Sequence, residues 1–256
     1  MEKLIIEDFG VLAGNWPLAP EKPTLIFIHG AALSKGFWAV QVEDLSDIVN
    51  TIAIDLPGHM DSKGVACERI SDCAASVAQL IEQINAPNPV LCGLSMGGAV
   101  ALELLITEPE LFAAAILMHT GARLKVFPFI FESIEKDYSQ YLDVAVDFSV
   151  SQKSDKAKIK EKMKDIAVTK SDVALKDFTA CDRFDVMARL NEIKAKVLVI
   201  VGDEDNITPA KYGEYLHQHI GGAQLKTIAE AGHLSPLEKP EEVSQIIRDF
   251  IKKLIA

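Results

Sequence analysis

The feature that most constrains this chain is a series of short apolar runs without polar alternation, separated by segments of helical periodicity. The runs cover residues 24–29, 51–55, 89–93, 113–118 and 196–201. Strands of this kind suit a parallel sheet whose two faces are both covered, because neither face then needs polar side chains. Alternation of such strands with helices predicts an α/β domain with right-handed crossovers.

Three segments between and after these runs are typical of helices. Residues 70–84 repeat apolar side chains at helical spacing on one face, as a surface helix does. Residues 95–105 are apolar nearly all round, which predicts a helix buried against the sheet. Pro240 suits a first helical position, and an apolar stripe follows it. The sequence therefore places helices on both faces of a mostly parallel sheet.

The alternation breaks between residues 124 and 192, a segment too long for a plain connection. Phe127, Phe131 and Tyr138 fall on one predicted helical face, which suits contact with an apolar substrate group. We interpret residues 124–192 as a helical cap or lid, and residues 1–123 and 193–256 as the core. The alternative is that these aromatic side chains simply add to the hydrophobic core.

Charge and composition exclude several classes of protein. The chain has 26 basic and 37 acidic residues, a net charge of −11, which on average repels nucleic acids and anionic membranes. Its 49% hydrophobic and 25% charged residues are ordinary for a globular domain. No apolar stretch approaches the roughly 18 residues of a membrane span. We therefore expect a small-molecule ligand rather than a nucleic acid or a membrane.

The cysteine and histidine patterns give no metal signature. The four cysteines form no CxxC pair, and the six histidines form no HExxH motif. The first ten residues lack the basic and apolar regions of a secretory signal. These observations predict a cytoplasmic protein that uses neither a metal nor an organic cofactor.

A serine stands where a strand changes into a helix, in the motif Gly93-Leu94-Ser95-Met96-Gly97. Glycines two residues before and after the serine let the chain turn back without Cβ clashes. The helix that begins here directs free N–H groups at an atom reacting with Ser95. The string alone is weak evidence, and the strand–turn–helix context makes Ser95 a candidate nucleophile.

Three further loops follow predicted strands. The first loop, His29-Gly30-Ala31-Ala32, has small side chains after His29. They would let the Ala31 N–H, together with that of Met96, approach a substrate oxygen. The loop after residue 201 carries three adjacent acids, Asp203, Glu204 and Asp205, any of which lies at the same sheet edge. His233 follows a last predicted strand at residues 224–229, and it is the candidate base.

These motifs together resemble the α/β-hydrolase superfamily, over about residues 25–250. The resemblance rests on the Gly93–Gly97 elbow, on His29-Gly30, on Gly202 with Pro209, and on Gly232-His233. It implies the catalytic order Ser95, Asp205, His233 and selects Asp205 over the two neighbouring acids. It also implies an eight-stranded type of sheet. Met60 departs from the family, which commonly has glycine there.

The implied reaction is acyl transfer, in which His233 activates Ser95, Asp205 orients His233, and water hydrolyses the acyl-enzyme. Ser95 disfavours the epoxide hydrolases and haloalkane dehalogenases of this fold, which use aspartate. The first expectation is a small carboxylic ester as substrate. Lactone or C–C bond hydrolysis and perhydrolase activity use the same triad and remain alternatives. A ligand-binding receptor that retains the triad is the alternative outside enzymes.

Overall fold

The computed structural model describes residues 1–255. The strands are β1 (Glu2–Ile6), β2 (Phe9–Ala13), β3 (Thr24–Ile28), β4 (Asn50–Ile54), β5 (Pro89–Leu94), β6 (Ala114–Met118), β7 (Lys196–Gly202) and β8 (Gln224–Ile228). The helices are α1 (Ala39–Leu45), α2 (Ile70–Gln83), α3 (Met96–Thr107), α4 (Pro128–Lys136), α5 (Tyr138–Ser149), α6 (Lys156–Ile166), α7 (Ser171–Arg183), α8 (Lys211–His219), α9 (Ser235–Glu238) and α10 (Pro240–Ile255). Each predicted strand and helix of the core is present.

The eight strands form one sheet in the order β1-β2-β4-β3-β5-β6-β7-β8. β1 and β2 pair antiparallel with each other, and β2 pairs antiparallel with β4. From β4 through β3 to β8 every neighbouring pair is parallel. The predicted mostly parallel, eight-stranded sheet is therefore confirmed, and the carboxyl ends of six strands meet at one edge.

Burial on both faces explains why the strand sequences lack polar alternation. Ile26 and Ile28 of β3 belong to the core cluster beneath α2 and α3. Leu25 and Phe27, the intervening residues, belong to the cluster beneath α1 and α10. All four side chains are fully buried. Successive side chains of a strand point to opposite faces, so a sheet covered twice needs an apolar residue at each position.

Helices α4 to α7 lie between β6 and β7. Residues 124–192 are called the cap below, and their role as a cap or lid stays a prediction. The expectation that Phe127, Phe131 and Tyr138 share one helical face is wrong. Asp137 interrupts the helical path with extended backbone, and its side chain caps α5 by accepting a hydrogen bond from the Gln140 N–H at 2.9 Å. Among residues 1–255, no helix combines the length and apolar character needed to cross a bilayer.

Candidate active site

The serine motif forms a tight turn between β5 and α3. Ser95 has a φ of 53°, in the region that non-glycine residues rarely adopt, and its N–H donates to the Met118 carbonyl at 2.9 Å. A Cβ on Gly93 would lie 2.2 Å from the Gly97 oxygen, and one on Gly97 would lie 2.2 Å from the Ile28 oxygen. Both glycines are therefore required by close backbone approach, and this holds Ser95 at the sheet edge.

Two backbone N–H groups flank this turn without a partner of their own. The N–H groups of Ala31, which follows β3, and of Met96, the first residue of α3, donate no hydrogen bond within residues 1–255. Met96 is fully buried, and the neighbouring Ala32 has a φ of 61°. Unpaired donors at a helix start suit an oxygen that gains negative charge.

Asp205, the residue selected by the family resemblance, is held by five donors. Its Oδ1 accepts from the N–H groups of Ile207 and Thr208, at 2.8 and 2.9 Å. Its Oδ2 accepts from the Thr208 hydroxyl, from His233 Nδ1 and from His119 Nδ1, each at 2.9 Å. Only 5% of Asp205 is exposed. This many donors fix both the position and the ionised state of the carboxylate.

The two neighbouring acids have other roles. Asp203 is exposed. Glu204 turns toward the cap, where its Oε2 accepts from the Ser151 hydroxyl at 2.7 Å and from the Gln152 N–H at 3.2 Å. Asp205 alone among the three acids contacts His233.

The electrostatics of Asp205 result from opposing effects. Burial by itself raises the pKa of the Asp205 carboxyl, because a buried charge loses its hydration. The charge of His233 and hydrogen bonds from His119 and His233 outweigh burial, and the pKa lies well below its ordinary range. The Asp205 carboxylate is therefore ionised at neutral pH.

His233 is oriented by its contacts on one side of the ring. A carboxylate only accepts hydrogen bonds, so the 2.9 Å contact with Asp205 requires the proton on His233 Nδ1. His233 Nε2 makes no hydrogen bond within residues 1–255, and neither does the Ser95 hydroxyl. The backbone N–H of His233 donates to the Ser149 carbonyl in the cap at 2.6 Å. A neutral His233 therefore has an unused lone pair on Nε2.

His119 is a site residue that the sequence analysis missed. It directly follows β6 with a φ of 47°, and 1% of it is exposed. Its Nδ1 donates to Asp205, so its Nε2 accepts from the Ser235 hydroxyl at 2.7 Å. Burial lowers the pKa of His119 despite the adjacent carboxylate, which favours this neutral form. The available signal was its place directly after a buried strand, since Asp205 also lies in the loop that follows a buried strand.

His119, Asp205 and His233 bring three possible metal-ligand atoms within 4.8 Å of one another. Both histidines direct an Nδ1–H at the same carboxylate oxygen. A metal ion held by these atoms would have to displace both protons and break both hydrogen bonds. His119, Asp205 and His233 therefore already satisfy one another by hydrogen bonds.

The three predicted pocket residues occupy different environments. Phe127 precedes α4, is 70% exposed and stacks on Phe129 with ring centroids 6.1 Å apart. Phe131 is half-buried on α4. Tyr138 begins α5, is half-buried, and donates its hydroxyl to the Val168 carbonyl at 3.0 Å. Their contact with a substrate stays a prediction.

Similar proteins include hydrolases of two kinds. The chain is 27% identical over 236 residues to a pimeloyl-[acyl-carrier protein] methyl ester esterase of Nitrosomonas europaea, covering 86% of this chain and 92% of the relative. It is 26% identical over 241 residues to 3-oxoadipate enol-lactonase 1 of Acinetobacter baylyi, covering 91% and 90%. The solved structure of a thermophilic esterase matches with a TM-score of 0.81 and 31% identity, covering 96% of this chain and 93% of that one.

Comparison of the sequence with models of protein families gives the same result as the sheet order and the similar hydrolases. The sequence model described as the alpha/beta hydrolase fold matches residues 23–240, which include β3 to β8 and the loops that carry Ser95, Asp205 and His233. This chain belongs to the α/β-hydrolase fold family.

Proposed function

We propose that this protein is a serine hydrolase that cleaves a small carboxylic ester with Ser95, His233 and Asp205. The observation that carries the proposal is the 2.9 Å bond between Asp205 Oδ2 and His233 Nδ1. This bond reserves Nε2, the nitrogen facing away from the acid, for proton transfer. The strained turn at Ser95 supports the same assignment, because strain of this kind is concentrated at functional sites.

The proposed reaction has two acyl-transfer steps. Ser95 Oγ attacks the ester carbonyl while His233 Nε2 takes the hydroxyl proton and then passes it to the leaving alcohol. Water, deprotonated by His233, next attacks the Ser95 ester, and His233 returns that proton to Ser95 Oγ as the bond to the acyl group breaks and the carboxylic acid leaves. The N–H groups of Ala31 and Met96 stabilise the tetrahedral oxyanion in both steps. Side chains and backbone groups of this chain supply every proton transfer and charge contact.

The substrate class is inferred from the relatives together with the site. Similarity to a methyl ester esterase and to a thermophilic esterase supports a carboxylic ester with a small leaving group. The cytoplasm is part of the same proposal, and it is supported by four cysteines that are all free thiols.

Lactone hydrolysis is the second candidate function. It is favoured by the similarity to 3-oxoadipate enol-lactonase 1, which covers 91% of this chain. A lactone is a cyclic ester, so the same attack by Ser95 opens the ring, and the leaving alcohol stays attached to the acyl group. The two candidates therefore share every catalytic residue and differ only in the shape of the bound substrate.

The test is stopped-flow hydrolysis of p-nitrophenyl acetate, followed by steady-state rates on a panel of methyl esters and lactones. We expect Ser95→Ala and His233→Ala to lower kcat by about 10⁴- to 10⁶-fold. Ser139→Ala and His219→Ala are matched controls, because both residues are exposed and lie outside the site. Their rates should equal those of the parent.

The panel also separates the candidates. Faster turnover of lactones than of methyl esters would replace ester hydrolysis by the second candidate. Activity that persists in Ser95→Ala would overturn both. Binding of panel members without turnover by the parent would favour a receptor that retains the triad.

A further inference from the structure

A buried carboxylate of the cap reaches the loop that carries the proposed oxyanion donors. Asp177 lies on α7 and is 1% exposed. Its Oδ2 accepts from the Ala32 N–H at 2.8 Å and from His59 Nε2 at 2.9 Å. Asp177 and Ala32 are 145 positions apart in the sequence. A buried charge is costly unless it is paired and hydrogen-bonded, so these contacts account for its place here.

The partner His59 carries a positive charge. Its Nδ1 contacts the Pro57 carbonyl at 3.1 Å, and its Nε2 contacts the Asp177 carboxylate. Both partners only accept hydrogen bonds, so both ring nitrogens must hold protons. Burial opposes this charge, but the Asp177 carboxylate, together with the Pro57 carbonyl and the charge of Asp55, raises the pKa of His59. His59 and Asp177 therefore form a buried ion pair between core and cap.

The adjacent His29 is neutral and holds the start of the same loop. Its Nε2 accepts from the Leu56 N–H at 3.1 Å, so its Nδ1 donates to the Gly30 carbonyl at 2.8 Å. Burial, assisted by the charge of His59, lowers the pKa of His29 to about 3. The His29 and His59 rings lie 4.7 Å apart. The loop is thus held at Gly30 by the core histidine and at Ala32 by the cap carboxylate.

Two more contacts join the cap to this loop. The Val168 N–H donates to the Ala32 carbonyl at 2.9 Å, and the Ser34 hydroxyl donates to the Ile166 carbonyl at 2.8 Å. Ala32 keeps a φ of 61°, which a residue with a Cβ adopts only when its surroundings impose it. Cap residues bind both the N–H and the carbonyl of Ala32. The unpaired Ala31 N–H belongs to the preceding residue.

We propose that Asp177 and His59 are positioning residues, which hold the oxyanion loop from the cap so that the Ala31 N–H points at the substrate oxygen. Asp177 acts on the Ala32 N–H, and His59 acts by fixing the Asp177 carboxylate. Stabilisation of the transition state then requires that α7 is packed with Asp177 bound to the Ala32 N–H. The expected change in kcat rests on the proposed function. The expected change in the mobility of the loop rests on the hydrogen bonds alone.

The kinetic test compares Asp177→Leu with Asp177→Asn on p-nitrophenyl acetate. Leucine is similar in size and accepts no hydrogen bond, whereas asparagine keeps one carbonyl oxygen for the Ala32 N–H. Because losing an oxyanion donor costs about 10²- to 10³-fold in rate, misdirecting one should lower kcat by about 10- to 100-fold. KM should change less than about threefold, since the donor acts in the transition state. Asp177→Asn should recover most of kcat.

The matched control is Asp172→Asn, which removes the same charge from an exposed position on the same helix. It should keep the parent kcat. Thermal unfolding of every variant is followed by circular dichroism, and rates are taken where each is fully folded. An unchanged kcat in folded Asp177→Leu, or a change confined to KM, would overturn the positioning role.

Amide hydrogen exchange of residues 29–35 tests the contact without any substrate. We expect faster exchange of this segment in Asp177→Leu, while residues of α3 exchange as in the parent. Unchanged exchange would refute the proposal even if the protein proves not to be an esterase. Faster exchange without esterase activity in the parent would instead keep the contact and reject the proposed function.

A double-mutant cycle tests the role of His59. If His59 acts through Asp177, His59→Ala should lower kcat in the parent and have less than about a twofold effect in Asp177→Leu. Independent, multiplicative losses would show that His59 does not act through the carboxylate, and would reject the pair.

Discussion

The loops at the carboxyl edge of the sheet and the first two cap helices differ in how fully their side chains are constrained. At the edge, His119, Asp205 and His233 are 1%, 5% and 7% exposed, and each makes hydrogen bonds to neighbouring loops. On α4 and α5, each helix buries a single hydrophobic side chain, Ile134 and Val146 respectively.

This difference shows which parts of the molecule have their side-chain positions fixed by burial and hydrogen bonds. The loops that carry Ser95, His119 and Asp205 start at strands buried on both faces, so their backbone is fixed and their polar groups must find partners within the protein. Helices α4 and α5 bury one side chain each, and the large apolar groups of Phe127, just before α4, and of Phe129, on α4, remain 70% and 59% exposed. Substitutions should therefore lower activity or stability strongly at the sheet edge and weakly on α4 and α5, which we call the outer cap.

Among substitutions that test this contrast, Asp205→Asn should have the largest effect on activity. The amide cannot hold His233 in the Nδ1–H tautomer as a carboxylate does, so kcat should fall by about 10⁴-fold. Steady-state hydrolysis of p-nitrophenyl acetate measures the loss. Asp203→Asn, on the exposed neighbouring acid, should leave kcat unchanged. Equal losses in the two variants would mean that loop charge, rather than the contact with His233, matters.

His119→Leu should have the next largest effect. It removes a donor to Asp205 and leaves the Ser235 hydroxyl without its buried partner, so we expect kcat/KM to fall by about tenfold and stability by about 1–3 kcal/mol. His119→Asn tolerates the positive φ and offers an N–H to Asp205, and it should recover part of both losses. Urea unfolding and ester hydrolysis supply the two measurements. Similar behaviour of both variants would exclude a role for the hydrogen bond.

Acid sensitivity of stability should also depend on Asp205. Its pKa is lowered in the folded chain, so its ionised form stabilises the fold above the unfolded pKa of about 3.9, and this contribution is lost as the pH falls toward the native value. Asp205→Asn should therefore flatten the decrease in unfolding free energy below that pH. Urea titrations from pH 6 to pH 2.5 measure it. A parallel curve for the variant would contradict the lowered pKa.

Tyr138→Phe should have a smaller effect, because it removes one half-buried hydrogen bond to the Val168 carbonyl. We expect a loss of about 1 kcal/mol in unfolding free energy and little change in kcat. A large fall in kcat would mean that the α5 end of the cap helps to hold the oxyanion loop through Val168.

Phe127→Ser should have the smallest effect. An exposed side chain contributes within about 0.5 kcal/mol to stability, and KM for p-nitrophenyl acetate should stay within about threefold of the parent. The same variant is assayed on p-nitrophenyl octanoate. A KM that rises more than about tenfold only for the longer ester would show that the outer cap closes on the substrate, which would break the contrast between edge and cap.

Local patterns were sufficient for the six parallel strands of the sheet, but not for β1 and β2, and for part of the site. The apolar runs predicted the strands because burial on both faces leaves no freedom in residue type, as β3 shows. The glycines around Ser95 predicted the turn because no larger residue fits at Gly93, where β5 meets α3, or at Gly97, where α3 meets the end of β3. The break at Asp137 was missed, because an apolar repeat continued across it and the extended backbone carried no proline or glycine signal.

The sequence by itself determined a doubly covered sheet and a serine turn at its edge, because strand burial and tight turns restrict residue type locally. The choice of Asp205 among three adjacent acids came from the family resemblance instead. Only the tertiary structure decided that His119 joins Asp205, and that Asp177 of the cap binds the Ala32 N–H. These pairs are 86 and 145 positions apart, and no local periodicity reports a contact made across a folded chain. A buried carboxylate must find donors, but which donors it finds depends on how cap and core pack together.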